Sequence, residues 1–141
     1  MRGDKVEIYI HLIWTVWDRE PLISPELEES LYKLTRAMIE RHDATVISIG
    51  GVADHVHLLV RSASTTRVCD MVKDAKGAAS RLIHQTVNGF KWRPTYAAFS
   101  VSRWDVSALA GYIANQKQHH AKGTIKAQLE QNDEVVIYDG E

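Results

Sequence analysis

A single cysteine, Cys69, stands in the 141 residues. One thiol forms neither an intramolecular disulfide nor a cysteine-built zinc cage. That scarcity fits a reducing compartment, and the chain is expected in the cytoplasm. No uncharged apolar run approaches the roughly 18 residues that a membrane-spanning helix needs. The opening residues Met1-Arg2-Gly3-Asp4-Lys5 lack the pattern of a signal peptide and lead into a strand-like run. Internal repeats and low-complexity segments are also missing. The apolar share is an ordinary 45%. One domain over residues 1–141 is therefore expected, with its core at about 6–123.

A strong charge of either sign is missing too, since the net charge is −1. The charges are unevenly placed, however. Residues 61–123 hold ten Lys and Arg against three acids, whereas 124–141 hold one base against five acids. A basic body with an acidic tail is compatible with phosphate contacts. The same pattern also reads as a solvated surface.

Hydrophobic periodicity orders the elements. Val6, Ile8, Ile10, Leu12, Trp14 and Val16 alternate, which predicts a strand from Val6 to Trp17. Ser24 can cap a helix with Pro25 at its first position, where the missing N–H costs nothing. Leu27, Leu31, Leu34 and Met38 then carry that helix to about Arg41. Ala44–Ile49 and His55–Arg61 read as a hairpin of two strands linked through Gly50-Gly51. Val68, Met71, Val72, Ala75, Ala79, Leu82 and Ile83 mark a second helix, ended by Asn88-Gly89. Tyr96–Ser102 is a fourth strand. Asp105 caps a third helix that runs unbroken to Gly123, and a short helix is expected around Lys126–Gln131. The order β-α-β-β-α-β plus a helix predicts an α+β, ferredoxin-like antiparallel sheet. Both crossover helices would cover the face bearing Val56, Leu58 and Val60. His55, His57 and Leu59 would face the other side, under the third helix.

Two segments point to chemistry. Asp54-His55-Val56-His57-Leu58-Leu59-Val60 places two imidazoles on one face of a strand, because strand side chains alternate. Gly111-Tyr112-Ile113-Ala114-Asn115-Gln116 places a phenol and an amide one helical turn apart, and His119 extends the same face. Two imidazoles and an amide oxygen can hold a divalent metal, and a phenol beside it can attack phosphorus. Each feature also has a plainer reading. The histidines can sit solvated on an open sheet face. Tyr112 can be a packing residue, and His119-His120 a surface pair at a helix C-terminus.

His55-Val56-His57 with its flanks resembles the HUH motif. Tyr112-x-x-x-Gln116 resembles the nucleophile helix of the single-tyrosine HUH transposases of the insertion sequence 200/605 group. His11-Leu12-Ile13-Trp14, Arg19-Glu20-Pro21-Leu22, Lys76-Gly77-x-x-Ser80-Arg81 and Tyr96-Ala97-Ala98-Phe99-Ser100-Val101-Ser102 are similar to the same family. The resemblance spans about residues 8–122.

It implies a bacterial or archaeal, nucleoid-associated DNA transposase. His55, His57 and Gln116 would hold Mg²⁺ or Mn²⁺, and Tyr112 would form a 5′-phosphotyrosine on single-stranded DNA with imperfect hairpins. It also implies a homodimer whose active sites are shared between chains. Lys73, Lys76, Arg81, Lys91, Arg93 and Arg103 are the candidate phosphate contacts. Tyr96, Phe99, Trp92 and Trp104 are candidates for base stacking, although core packing is the first expectation for Phe99. Two other readings use the same residues. One is a ferredoxin-like module that binds single strands without cutting them. The other is a small metal-binding regulator built on His55, His57, His119 and His120.

Overall fold

The computed structural model describes residues 3–123, 126, 129 and 130. Strand β1 (Ile8–Thr15) follows the predicted alternation but starts two residues later and stops two residues earlier. Its end is set by a 3-10 turn over Trp17–Arg19. There Asp18 and Arg19 take left-handed backbone angles (φ 55° and 52°), which cannot continue a strand. Helix α1 (Pro25–Glu40) begins as read, with Ser24 at its N-cap and Pro25 in its first turn. The Ser24 side chain makes no capping hydrogen bond.

Strand β2 (Thr45–Val52) and strand β3 (His55–Ser62) form the expected hairpin. Its turn lies at Ala53-Asp54, so Gly50 and Gly51 belong to the strand instead of linking the pair. Helix α2 (Val68–His84) and strand β4 (Ala97–Val101) complete the core order. The sheet is antiparallel in the order β2-β3-β1-β4, the ferredoxin-like arrangement.

The two faces carry different cores. On one, Leu31, Ile39, Met71, Val72, Ala75 and Ile83 of α1 and α2 meet Leu12, Trp14, Val56, Leu58 and Val60. Each of the larger side chains is essentially fully buried and contributes about 1.5–3 kcal/mol. Trp92, read as a base-stacking candidate, belongs to this core and donates its indole N–H to the Lys76 carbonyl. A smaller cluster on the other face joins Leu59 to Leu109, Tyr112 and Ile113 of helix α3 (Val106–Ala114).

Gly50 lets α3 lie this close. A Cβ there would stand 2.0 Å from the Ile113 carbonyl oxygen.

The third helix is not continuous as the spacing predicts. It breaks at Asn115 (φ −106°, ψ 25°) and resumes as α4 (Gln116–Lys122). The Asn115 side-chain amide donates to the Gly111 carbonyl at 2.9 Å and shares that oxygen with its own backbone N–H. Gly123 ends α4 in the left-handed conformation (φ 68°), as its position predicts. The expected helix around Lys126–Gln131 falls largely outside the described residues.

Candidate active site

The pairing of β1 with β3 assembles the imidazoles. His55 lies opposite Thr15, His57 opposite Ile13, and Leu59 opposite His11. These side chains share the sheet face under α3, and His11, His55 and His57 are all buried. Each imidazole of the pair has its Nδ1 already engaged. His55 Nδ1 lies 2.6 Å from Asp54 Oδ1, and His57 Nδ1 lies 2.8 Å from His11 Nε2. Both Nε2 atoms therefore point away from their supports and toward α3 and α4. In the sequence, His11 and Asp54 stand out only as family-like neighbours. The alternation of β1 puts His11 off the main core face, which is the signal that would have placed it here.

Glu130 is the centre of this arrangement, and sequence reasoning missed it. Its Oε1 lies 3.0 Å from His57 Nε2, 3.2 Å from His55 Nε2 and 3.4 Å from His120 Nε2. Its Oε2 accepts the Tyr112 hydroxyl at 2.5 Å and the Gln116 amide at 3.2 Å. Gln116 Oε1 lies 3.2 Å from His120 Nε2. Tyr112 also accepts the Lys126 backbone N–H at 3.0 Å, and His119 stacks on its ring at 4.4 Å between centroids. Thus His119 and His120, readable as a surface pair, both face the cluster.

The resemblance implies a site shared between two chains. Here the tyrosine, the amide and the histidine pair of a single chain converge on one carboxylate.

The electrostatics follow from burial and charge. Burial lowers His57, against the opposing pull of Glu130. Burial also depresses His55, but the hydrogen bond to Asp54 and the nearby Glu130 carboxylate outweigh it and carry its pKa up to about 9. Burial together with the neighbouring His57 takes His11 down to about 4. Glu130 is held well below the usual carboxylate range. Burial would raise it, but the close His55 imidazole and the hydrogen bond with His57 outweigh that effect. Burial and the hydrogen bond to Glu130 raise the Tyr112 phenol, so it rests protonated at neutral pH.

The six basic candidates do not form one surface. Lys73, Lys76 and Arg81 ride on α2, on the sheet face opposite Tyr112. Lys76 is largely committed to the fold. Its ammonium donates to the Arg93 and Thr95 carbonyls at 2.6 and 3.1 Å, and burial lowers its pKa to about 8. Arg103 donates to Glu7 at 3.2 Å, at the sheet end away from His55.

Lys91 and Arg93 lie at the His55 end. Arg93 N–H donates to the Thr15 carbonyl, and the Lys91 ammonium sits 4.2 Å over the Trp17 ring. Trp104 is 78% exposed beside the Arg103 guanidinium. Phe99 is not a core residue. It is exposed next to His11 and lines a groove that runs between β4 and α3 to Tyr112.

Residues 4–116 match the family described as Transposase IS200 like. The ISDra2 transposase TnpA of Deinococcus radiodurans is 29% identical over 123 residues, covering 82% of this chain and 88% of that protein. A crystal structure described as a transposase from Deinococcus radiodurans R1 superposes with a TM-score of 0.66 at 26% identity. It covers 82% of this chain and 95% of its own. The REP-associated tyrosine transposase bound to a REP hairpin superposes at 0.65 with 9% identity, a likeness of fold. Coverage is 89% of this chain and 74% of that one.

Proposed function

Because the chain belongs to the IS200-like transposase family of DNA-cleaving enzymes, we propose that it cuts and rejoins single-stranded DNA through Tyr112. One observation carries this reading. The Tyr112 hydroxyl and the Nε2 atoms of His55 and His57 converge on the two oxygens of one carboxylate. A phenol and two imidazoles that could hold a cation thus face one point.

The donor set fits a divalent cation, Mg²⁺ or Mn²⁺. His55 Nε2 is buried, lacks a hydrogen-bond partner and points into the cluster. Asp54 and His11 hold the Nδ1 atoms, the outer support that fixes a ligating imidazole. His55, His57 and Gln116 would hold the ion. The Gln116 amide nitrogen faces Glu130 and its oxygen faces His120, and a half-turn of the amide exchanges these ends. When bound, the ion polarises and orients the scissile phosphate.

Tyr112 supplies the nucleophile. As its oxygen bonds to phosphorus, the phenol proton leaves to solvent. The P–O3′ bond breaks and the 3′-oxygen takes up a proton. A 5′-phosphotyrosine and a free 3′-hydroxyl result. The ester is conserved, so a second 3′-hydroxyl can reverse the step without ATP. The substrate is single-stranded DNA with imperfect hairpins at the element ends. The REP-associated relative, bound to a REP hairpin, supports that choice. Lys91 and Arg93 are the phosphate contacts nearest the histidines. Lys73, Arg81 and Arg103 would serve more distant parts of the strand. The setting is the cytoplasm, at the nucleoid of a bacterial or archaeal cell, with residues 1–141 acting as one domain.

For assembly we propose a homodimer in which α3 is exchanged, so that Tyr112 serves its partner's histidines. Two features support exchange. The link 102–105 between β4 and α3 is exposed throughout. The cluster that seats α3 is separate from the main core. A partner's α3 can make the same contacts. Mixing Tyr112→Phe with His57→Ala chains should then restore cleavage. Proven heterodimers that stay inactive would place the whole site within one chain.

The activity is tested with single strands from the DNA flanking the gene. Mn²⁺ should yield a DNA–protein adduct that survives denaturation. His57→Ala and EDTA should each abolish it. Undiminished cleavage in EDTA would exclude the metal role.

A further inference from the structure

We propose that Glu130 is a ligand of the divalent cation, bridging it to the Tyr112 hydroxyl; this rests on the reading of His55 and His57 as ligands. Glu130 lies beyond residues 4–116, so the family match does not reach it. Its placement alone brings it into the site.

The distances have the form of a coordination shell. Metal–ligand bonds of about 2.1 Å put neighbouring ligands about 3.0 Å apart at right angles and about 3.4 Å apart at tetrahedral angles. Glu130 Oε1 stands 3.0 Å from His57 Nε2, 3.2 Å from His55 Nε2 and 3.4 Å from His120 Nε2. His55, His120 and Glu130 can each offer one ligand atom, all lying within 4.8 Å of one another. The contact to His55 is close but lacks hydrogen-bond geometry, and His55 Nε2 is otherwise without a partner. A lone pair aimed at a cation explains that atom. A hydrogen bond to the carboxylate does not.

The chemistry of the donors agrees. Two imidazoles and an amide form a neutral set that suits zinc or copper at least as well as magnesium. A carboxylate oxygen adds a negative charge and a hard donor, moving the preference toward Mg²⁺ and Mn²⁺. The geometry also gives the second oxygen a role. While Oε1 faces the cation, Oε2 holds the Tyr112 hydroxyl at 2.5 Å. One side chain thereby fixes the distance between nucleophile and metal. With the ion in place, His57 Nδ1–H donates to His11 and His55 Nδ1–H donates to Asp54, which frees both Nε2 lone pairs.

The test is Mn²⁺ binding to the full-length chain without DNA, read by electron paramagnetic resonance and by calorimetry. Wild type, Glu130→Gln, Glu130→Asp and His57→Ala are compared, with circular dichroism to verify folding. Glu130→Gln should weaken Mn²⁺ by at least about tenfold, the scale on which even outer-shell partners act. Glu130→Asp keeps the carboxylate and should recover part of that loss. If His57→Ala loses Mn²⁺ while Glu130→Gln binds as wild type does, Glu130 is not a ligand and the histidine site stands. If wild type binds no Mn²⁺, the metal reading falls and takes this inference with it. Tighter Mn²⁺ binding and faster adduct formation in Glu130→Gln would also overturn the proposal, by making Glu130 a plug that excludes metal and DNA.

Discussion

Replacing Gly50 with alanine should separate Tyr112 from His55 and His57 without altering any of them. The new methyl would stand 2.0 Å from the Ile113 carbonyl oxygen and 3.0 Å from its carbon. Both are backbone atoms, so no side-chain rotation relieves the clash. Ordinary contact, at about 3.4 Å or more, requires α3 to retreat by about 1.4 Å or more. Overpacking of this kind costs about 1–3 kcal/mol. The small gain from removing a strand glycine offsets part of it. At about 4 °C per kcal/mol for a chain of this size, the melting temperature should fall by about 4–12 °C.

The functional loss should be larger than the stability loss. A nucleophile misplaced by about 1 Å can lose about 100-fold in rate. Thermal melts and the rate of covalent adduct formation, the latter measured well below the melting temperature, read the two effects separately. Gly111→Ala is the matched control, one residue before Tyr112. Beyond its chain neighbours and its own helix backbone, no atom lies within 4 Å of the added carbon, and the change should stabilise the helix by up to about 1 kcal/mol. If Gly50→Ala melts and cleaves as wild type does, α3 does not rest on β2 and Gly50 does not set the position of Tyr112.

Tyr112→Phe should lose the adduct while binding DNA nearly as well as wild type, since only the attacking oxygen is removed; an adduct formed by this variant would point to another tyrosine. Reversing Lys91 and Arg93 to Glu should weaken single-strand binding and flatten its salt dependence more than the same change at Lys73 and Arg81. Equal effects from the two pairs, measured by salt titration, would spread the DNA surface over both faces of the sheet. Lys76→Ala should act on folding first. Losing the donors to the Arg93 and Thr95 carbonyls should cost about 1–3 kcal/mol in denaturant unfolding.

The alternation of β1 and the stripes of α1 and α2 carried the fold, because burial on one face dictates residue type at every second or every third to fourth position. The same logic put His55 and His57 on the face away from the crossover helices. What escaped it has physical causes. The break at Asn115 coincides with its side-chain amide bonding back to the Gly111 carbonyl, and the apolar stripe does not record that. Gly50 and Gly51 read as a turn because glycine permits turns, whereas at Gly50 the need is space for a helix from far along the chain. The alternation of β1 puts His11 on the right face, but its contact with His57 depends on the β1–β3 register, which that alternation does not set. Glu130 is one of five acids in a polar tail. Only the path of the chain past α4 singles it out.

The most direct measurement is the identity of the residue that carries DNA. The denatured adduct formed with an element-end single strand and Mn²⁺ would be digested with protease and nuclease and sequenced by mass spectrometry. A nucleotide phosphate on Tyr112, joined through the 5′ end, is the expected result. The same mass on any other residue, or a cut strand with no covalent adduct at all, would contradict the role of Tyr112 as nucleophile.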